Sequence, residues 1–389
     1  MKVCVLNTGS SHAIYRTIAL AEFCEIEAFI QIGPPNHHHS ALKEAGIKVI
    51  QLNYKGFISI KIARYLKTQT SSDYYVCHYA YGMHIDACIY AKLKNIAVIA
   101  MGSDILFKGN SRLEFLKKKF VLKNVTFISS KSEEISTILE KWKSKAMIVL
   151  NYWGESHQHF YHVPESEAKK ILNIEVDKNI FLSSRTIGRL YNIDLIAKAF
   201  VEINKRVNNS YFIFAGRIGD QAYLNEIKEF FKEHGLTNYK IIGDLKKEEL
   251  NLYYNASKIV YSFVDHEGFP NTFFEVFACK VNLICGEIET LINFSKESHA
   301  ILNLCNFDER SIANKTIEML SNPNQSNQAI ERNYKVFLDY GNLNNNARKF
   351  HDELLRTIST RSINFSIIIK LLLFDTLLII DKKLKKIFF

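Results

Sequence analysis

The 389-residue chain is too long for one ordinary hydrophobic core, so at least two domains are expected. With 47% apolar and 23% charged residues it cannot be disordered throughout. A net charge of +10 points to an anionic partner: phosphate ligands, an acidic membrane surface or nucleic acid. Seven cysteines without a C-x-x-C pair fit reduced thiols of a cytosolic protein. The start, "MKVCVLNTGSSHAIY", reads as a first strand and not as a signal peptide.

In chain order, strand-like "KVCVLN" precedes helical "HAIYRTIALAEF", and "IEAFIQI" is again a strand. "ALKEAG", "IKVIQL", "SIKIARYLKT", "YYVCHY", "HIDACIYAKLK" and "IAVIAM" continue the alternation. "EFLKKKFVLK", "VTFISS", "EEISTILEKW" and "AMIVLN" close a first unit near residue 150. "YWGESHQHFYHVPESEAKKILNIEVDKN" has no clear strand pattern and reads as a connection. A second series begins at "IFLSS" and runs through "NIDLIAKAFVEINKR", "YFIFAG", "YLNEIKEFFKEHG", "YKIIGD", "KKEELNLYYNAS" and "KIVYSF". A helix from about Thr272, the strand "VNLICG" and further helix to about 320 follow. Alternation of this kind predicts βαβ units and parallel sheets, here an α/β chain of two doubly wound domains facing across a cleft. The expected divisions are 1–155, a connection 156–179, a second domain 180–335, a C-terminal helix 336–362 and a tail 363–389.

Dinucleotide chemistry needs G-x-G-x-x-G after a strand. Here the first turn has only Gly9, and "GRIGD" only Gly216 and Gly219. No P-loop, G-x-S-x-G elbow, H-E-x-x-H or D-x-D pair occurs. His37–His39 follow Pro34 and Pro35 as an exposed loop. The most informative stretch is "VDHEGFPNTFFEVFACK", Val264 to Lys280. Glu267 follows a strand, at a sheet's C-terminal edge, and Thr272 to Glu275 open an apolar helix whose first N–H groups attract phosphate. Two carboxylates flanking such a helix start fit a ligand with a polyol, a diphosphate and a second polyol. The competing reading makes Thr272-x-x-Glu275 a capping box, with Gly268 and Pro270 as turn residues.

"DHEGFPNTFFEVFAC" resembles the E-x7-E signature of retaining family-four (group 1) glycosyltransferases of the GT-B fold. "IAVIAMGSDI", "AMIVLNYWGE", "FLSSRTIGRLYNIDLIAKAF", "YFIFAG" and "IIGDLKKEELNLYYNAS" resemble further segments of that family in the expected order, over roughly residues 1–320. The resemblance implies metal-independent transfer of a sugar with retention from a UDP-, GDP- or ADP-linked donor, with no cofactor. It assigns Glu267 to donor-sugar hydroxyls, Glu275 to the ribose, and Arg185 to the diphosphate, Glu267 and Arg185 being the catalytic pair. Gly268, Phe269, Pro270 and Asn271 would approach the sugar and diphosphate, and Gly9 would do so from the first domain. Tyr191 and Asn192 stand where the family has a lysine, with Arg189 as a substitute, and Met101 stands where it often has a histidine. His12 and His78 are replacements for that histidine, and Ser103 and Asp104 are expected at the cleft edge. Lys280 and Asn282 depart from the family's usual Gly and Pro. The alternatives are a nucleotide-sugar 2-epimerase on the same architecture, which needs no acceptor, and a non-catalytic partner subunit that binds without turnover.

Lys117, Lys118, Lys119 and Lys123 lie in an amphipathic segment, read either as a solvated face or as a contact with anionic lipid. The stretch 363–380 is apolar except Asn364, Ser366, Lys370, Asp375 and Thr376. As a spanning helix its gain and its charge cost nearly cancel, and the basic "DKKLKKIFF" after it disfavours that orientation. A segment lying on the inner leaflet, or packed in an oligomer interface, remains. The partners implied are therefore a nucleotide sugar, a lipid-linked or oligosaccharide acceptor of envelope polysaccharide assembly (lipopolysaccharide, O-antigen or capsule) and an anionic membrane surface, with no nucleic acid. The expected location is the cytoplasmic side of the membrane.

Overall fold

The computed structural model describes residues 1–8, 11–34, 39–53, 58–106, 111–265, 267, 269–357 and 363–388. Gly9, Gly268, His37 and His38 lie outside them. The chain forms two compact units: Met1–Trp153 with Leu343–Phe389, and Gly154–Asn342.

The first unit opens with β1 (Lys2–Asn7), α1 (Ser11–Leu20), β2 (Glu25–Ile32), α2 (His39–Glu44), β3 (Val49–Leu52) and α3 (Ile58–Gln69). It continues with β4 (Tyr74–His78), α4 (Met83–Tyr90), β5 (Ile96–Ile99), α5 (Ser103–Leu106) and α6 (Arg112–Leu122). β6 (Phe127–Ser130), α7 (Glu133–Lys141) and β7 (Met147–Leu150) complete its sheet. The strands pair in parallel in the order β3-β2-β1-β4-β5-β6-β7. Continuous apolar runs such as "KVCVLN" suit this arrangement, because helices cover both faces of a parallel sheet. Local capping agrees: Ser111 and Ser132 accept from the backbone N–H of Glu114 and Ile135 at the starts of α6 and α7.

The second unit starts with α8 (Glu165–Ile171), which falls inside the stretch read as a connection. Then come β8 (Asn179–Ser183), α9 (Ile193–Asn204), β9 (Ser210–Phe214), α10 (Gln221–Glu233), β10 (Tyr239–Ile241) and α11 (Lys247–Asn255). β11 (Ile259–Ser262), α12 (Asn271–Ala278), β12 (Asn282–Gly286), α13 (Glu289–Ser298), β13 (Asn303–Cys305), α14 (Glu309–Ser321) and α15 (Pro323–Val336) finish it. Its parallel sheet runs β10-β9-β8-β11-β12-β13. β13 breaks the stretch expected to be helical to about 320, because its three residues extend the sheet edge by pairing with β12.

The chain then returns to the first unit. In α16 (Leu343–Arg356), Phe350 packs on Phe127 and Trp153, and Asn346 bonds the Trp153 carbonyl at 3.0 Å. α17 (Phe365–Phe388) packs against α6 and α4. Among the described residues no helix is long and apolar enough to cross a membrane. All seven cysteines are free thiols.

Both sheets reverse direction of winding beside their first strand, between β1 and β4 and between β8 and β11. Doubly wound sheets place ligands outside the carboxyl ends of the strands at such a point.

Candidate functional site

At the reversal in the second unit, Arg185 follows β8 and Glu267 follows β11. The Arg185 guanidinium is buried, and its Nη2 donates to both Glu267 oxygens, at 2.8 and 2.6 Å. Its Nη1 donates to Thr272 Oγ1 at 3.0 Å, and the Tyr191 ring lies 4.5 Å beneath it. With one nitrogen on the Glu267 carboxylate, the other on Thr272 and its plane over Tyr191, the arginine is held in one orientation that lysine could not reproduce. Gly216 fixes the loop from behind: a Cβ there would lie 2.0 Å from the Arg185 carbonyl oxygen.

Glu275 is buried on α12 and accepts from the Tyr254 hydroxyl at 2.7 Å, which also sits 2.8 Å from Ser184 Oγ. Burial pushes its carboxyl up to about 7, and the charge of Glu155 adds to the rise. The capping-box reading fails. The cap position is Pro270, without a side-chain cap bond, while Thr272 serves Arg185 and Glu275 serves Tyr254. The uncapped first turn of α12 keeps the electropositive end that favours an anion. Phe269 anchors the preceding loop in the core, its ring centroid 4.0 Å from that of Phe294. Asn271 donates to Glu155 Oε1 at 2.8 Å, and Lys247 pairs with the other Glu155 oxygen.

Glu155, Lys247, Tyr254, Thr272 and Tyr191 therefore join this cluster. All five lie in segments that resemble the family, but only Thr272 and Tyr191 were singled out there; nothing in the sequence marked Glu155, Lys247 or Tyr254 individually. Arg189, the expected substitute for a lysine, is exposed and held by Glu226 at 2.7 Å, and Asn192 is bonded to Asp265.

Residues 164–336 match the family model for glycosyl transferases group 1. No curated protein matches the chain in sequence. Solved structures share its fold. Sucrose-phosphate synthase from Thermosynechococcus elongatus has TM-score 0.74 and 16% identity, covering 92% of this chain and 98% of that one. HepE from Anabaena, in complex with UDP and glucose, has TM-score 0.77 and 14% identity over 92% and 100% of the two chains. A glycosyltransferase from Rickettsia africae has TM-score 0.75 and 15% identity over 92% and 99%. These neighbours show the α/β fold of the GT-B kind, and the similarity to glycosyl transferases group 1 lies in residues 164–336.

In the first unit of this glycosyltransferase-like chain, the reversal point is lined by Asn7, His78 and the loop after β5. His78 is buried at the end of β4; burial, and then the nearby Arg16 charge, hold its pKa well below the ordinary value, so it stays neutral. Asp104 is buried, and its carboxylate accepts from the backbone N–H of Ala80, Met101 and Gly102 at 2.6–3.1 Å. Those bonds make Asp104 the organiser of the loop. Ser103 Oγ lies 3.0 Å from the Tyr79 hydroxyl, and His12 is half-buried on α1. Met101, where a histidine was expected, places its sulfur 2.8 Å from Arg16 Nη1.

Two of the four lysines read as a basic face point inward. Lys117 and Lys118 are buried, Lys117 between Asp86 and Asp375 and Lys118 against the Tyr81 ring. Carboxylates from α4 and α17 compensate Lys117, which helix periodicity cannot register.

Proposed function

We propose that the protein transfers a hexosyl or related residue, with retention and without a metal ion, from a nucleotide sugar to a lipid-linked saccharide at an anionic membrane surface. Its setting would be envelope polysaccharide assembly on the cytoplasmic face. The Arg185–Glu267–Thr272 cluster beside Glu275 supports this reading most directly, because it unites a fixed cation, two carboxylates and a helix N-terminus where β8 and β11 end. In this reading Arg185 neutralises charge developing on the departing diphosphate. Glu267 and Glu275 take hydroxyls of the sugar and the ribose, and Gly9, Gly268, Phe269, Pro270 and Asn271 line the donor. Ser103, His12 and His78 belong to the sugar or acceptor side. Because HepE was solved with UDP-glucose, UDP-sugars come first among donors to test.

The test is a thermal-shift screen against UDP-, GDP- and ADP-sugars, with Glu275→Ala alongside. A donor at 100 times its Kd stabilises by about 2.7 kcal/mol. One donor class should stabilise the wild type and lose most of that effect in the variant. No stabilisation by any donor would overturn the assignment. Sugar rearrangement without acceptor would instead identify an epimerase.

A further inference from the structure

The outer face of α17 carries a row of exposed apolar side chains. At about 100° per residue, Ile368, Leu371, Asp375 and Leu378 fall on one side of the helix. Ile368, Leu371 and Leu378 are buried in the first unit. Phe365, Ile369, Leu372, Leu373, Leu377 and Ile380 fall on the other side and are exposed, Phe365 by 66% and Leu373 by 58%. A soluble surface scatters such residues singly; a continuous row of them marks a contact surface.

The inner side is held by more than apolar packing. Asp375 pairs with buried Lys117 at 2.5 Å, Lys117 pairs with Asp86 at 2.6 Å, and the Tyr90 hydroxyl also donates to Asp375. Phe374 stacks near Phe120 with centroids 5.6 Å apart. These bonds fix the rotation of the helix, so its apolar side faces outward by construction.

Charge selects the occupant. The α17 segment carries five lysines (370, 382, 383, 385 and 386) against two aspartates, and Asp375 is turned inward. Lys370 is exposed, and Lys382 is exposed although it reaches Glu114 at 4.0 Å. An apolar face with exposed Lys370 at its edge, on a helix whose last turns are lysine-rich in sequence, complements an anionic bilayer, whereas a second copy would bring the same net positive charge against it. Beside the helix, a cavity of about 490 Å³ is lined by apolar Ile60, Met83, Leu372 and Ile379 and, deeper in, by the Asp86–Lys117–Asp375 ion network. From Phe365 to Ile380 the helix measures about 24 Å at 1.5 Å per residue, short of a bilayer core and suited to lying in its plane.

We propose that α17 docks the first unit onto an anionic lipid surface, lying in the interface with Phe365, Ile369, Leu372, Leu373, Leu377 and Ile380 inserted. This rests on the membrane-borne acceptor proposed above and names the surface that meets the membrane.

The test is co-sedimentation of the full chain with equimolar phosphatidylglycerol and phosphatidylcholine vesicles, and with phosphatidylcholine alone. The wild type should bind the anionic vesicles, more weakly as salt rises. The double variant Leu373→Glu/Ile380→Glu should lose roughly a hundredfold or more in vesicle affinity, while its thermal shift with nucleotide sugar is unchanged. Vesicle binding that the double variant retains would overturn the proposal. So would a wild type that ignores vesicles and forms a dimer broken by the same substitutions. The donor shift is read without lipid, so failure of the transferase reading shows separately.

Discussion

Gly216→Ala tests the geometry of the donor cluster with a single methyl group. Gly216 follows β9, and its added Cβ would stand 2.0 Å from the Arg185 carbonyl oxygen, 2.6 Å from its carbonyl carbon and 3.1 Å from the Thr186 nitrogen. These are backbone atoms, so no side chain can rotate away. Ordinary contact between nonbonded heavy atoms lies at about 3.5 Å, so the strand ends must part by more than about 1 Å. Overpacking of this sort costs about 1–3 kcal/mol of stability. Because the displaced residue is Arg185, a shift of that size should also lower kcat/KM about a hundredfold. Gly188→Ala is the control: its backbone is extended, with φ −169°, and an added Cβ meets nothing within 4 Å. It should stay within about 0.5 kcal/mol of the wild type. The assays are urea unfolding and steady-state transfer from the donor found by the thermal-shift screen. If Gly216→Ala unfolds at the wild-type urea midpoint and keeps kcat/KM within twofold, the close approach does not position Arg185 and the argument fails.

Further outcomes follow from the same contacts. Arg185→Lys cannot hold Glu267 and Thr272 at once from two fixed nitrogens, and donor affinity measured by calorimetry should fall about 10- to 100-fold; unchanged affinity would remove Arg185 from the donor. Glu275 has a folded pKa of about 7 against an ordinary glutamate value of 4.5, so the native state binds the extra proton between those values and loses stability as pH rises through them. Relative to the wild type, Glu275→Gln should therefore gain up to about 3 kcal/mol between pH 4.5 and 7.5 in urea unfolding; a pH-independent difference would refute this. Lys117→Met leaves buried Asp86, and half-buried Asp375 beside it, without their cation and should cost about 3–5 kcal/mol at pH 7.5. Burial already raises Asp86 to about 6, so the loss should shrink at pH 5, and an equal loss at both pH values would count against the ion network.

Much of the donor cluster was legible because its parts are local. Glu267 and Glu275 belong to one strand–turn–helix segment, and the turn residues between them announce where that segment bends. Arg185 was reached only through a resemblance, since 82 residues separate it from Glu267. Tyr254 gave no sign of its role: its residue type suits a helix core equally well, and only the packing of α11 beside α12 turns its hydroxyl onto Glu275. Gly216 was visible as a turn glycine, but the reason for it, the Arg185 carbonyl, lies in the loop after another strand.

By itself the sequence determined the alternation of strands and helices, and with it two parallel sheets, because apolar periodicity reports directly which side of each element is buried. It also set the spacing of the two carboxylates around a helix start. Tertiary structure alone decided where charges go. Lys117 looks solvent-facing until α4 brings Asp86, and α17, from the far end of the chain, brings Asp375. A buried charge is tolerated only beside an opposite one. Its partner can come from any element that folding brings near, so no local pattern can disclose which lysine turns inward or which face of the last helix is left outside.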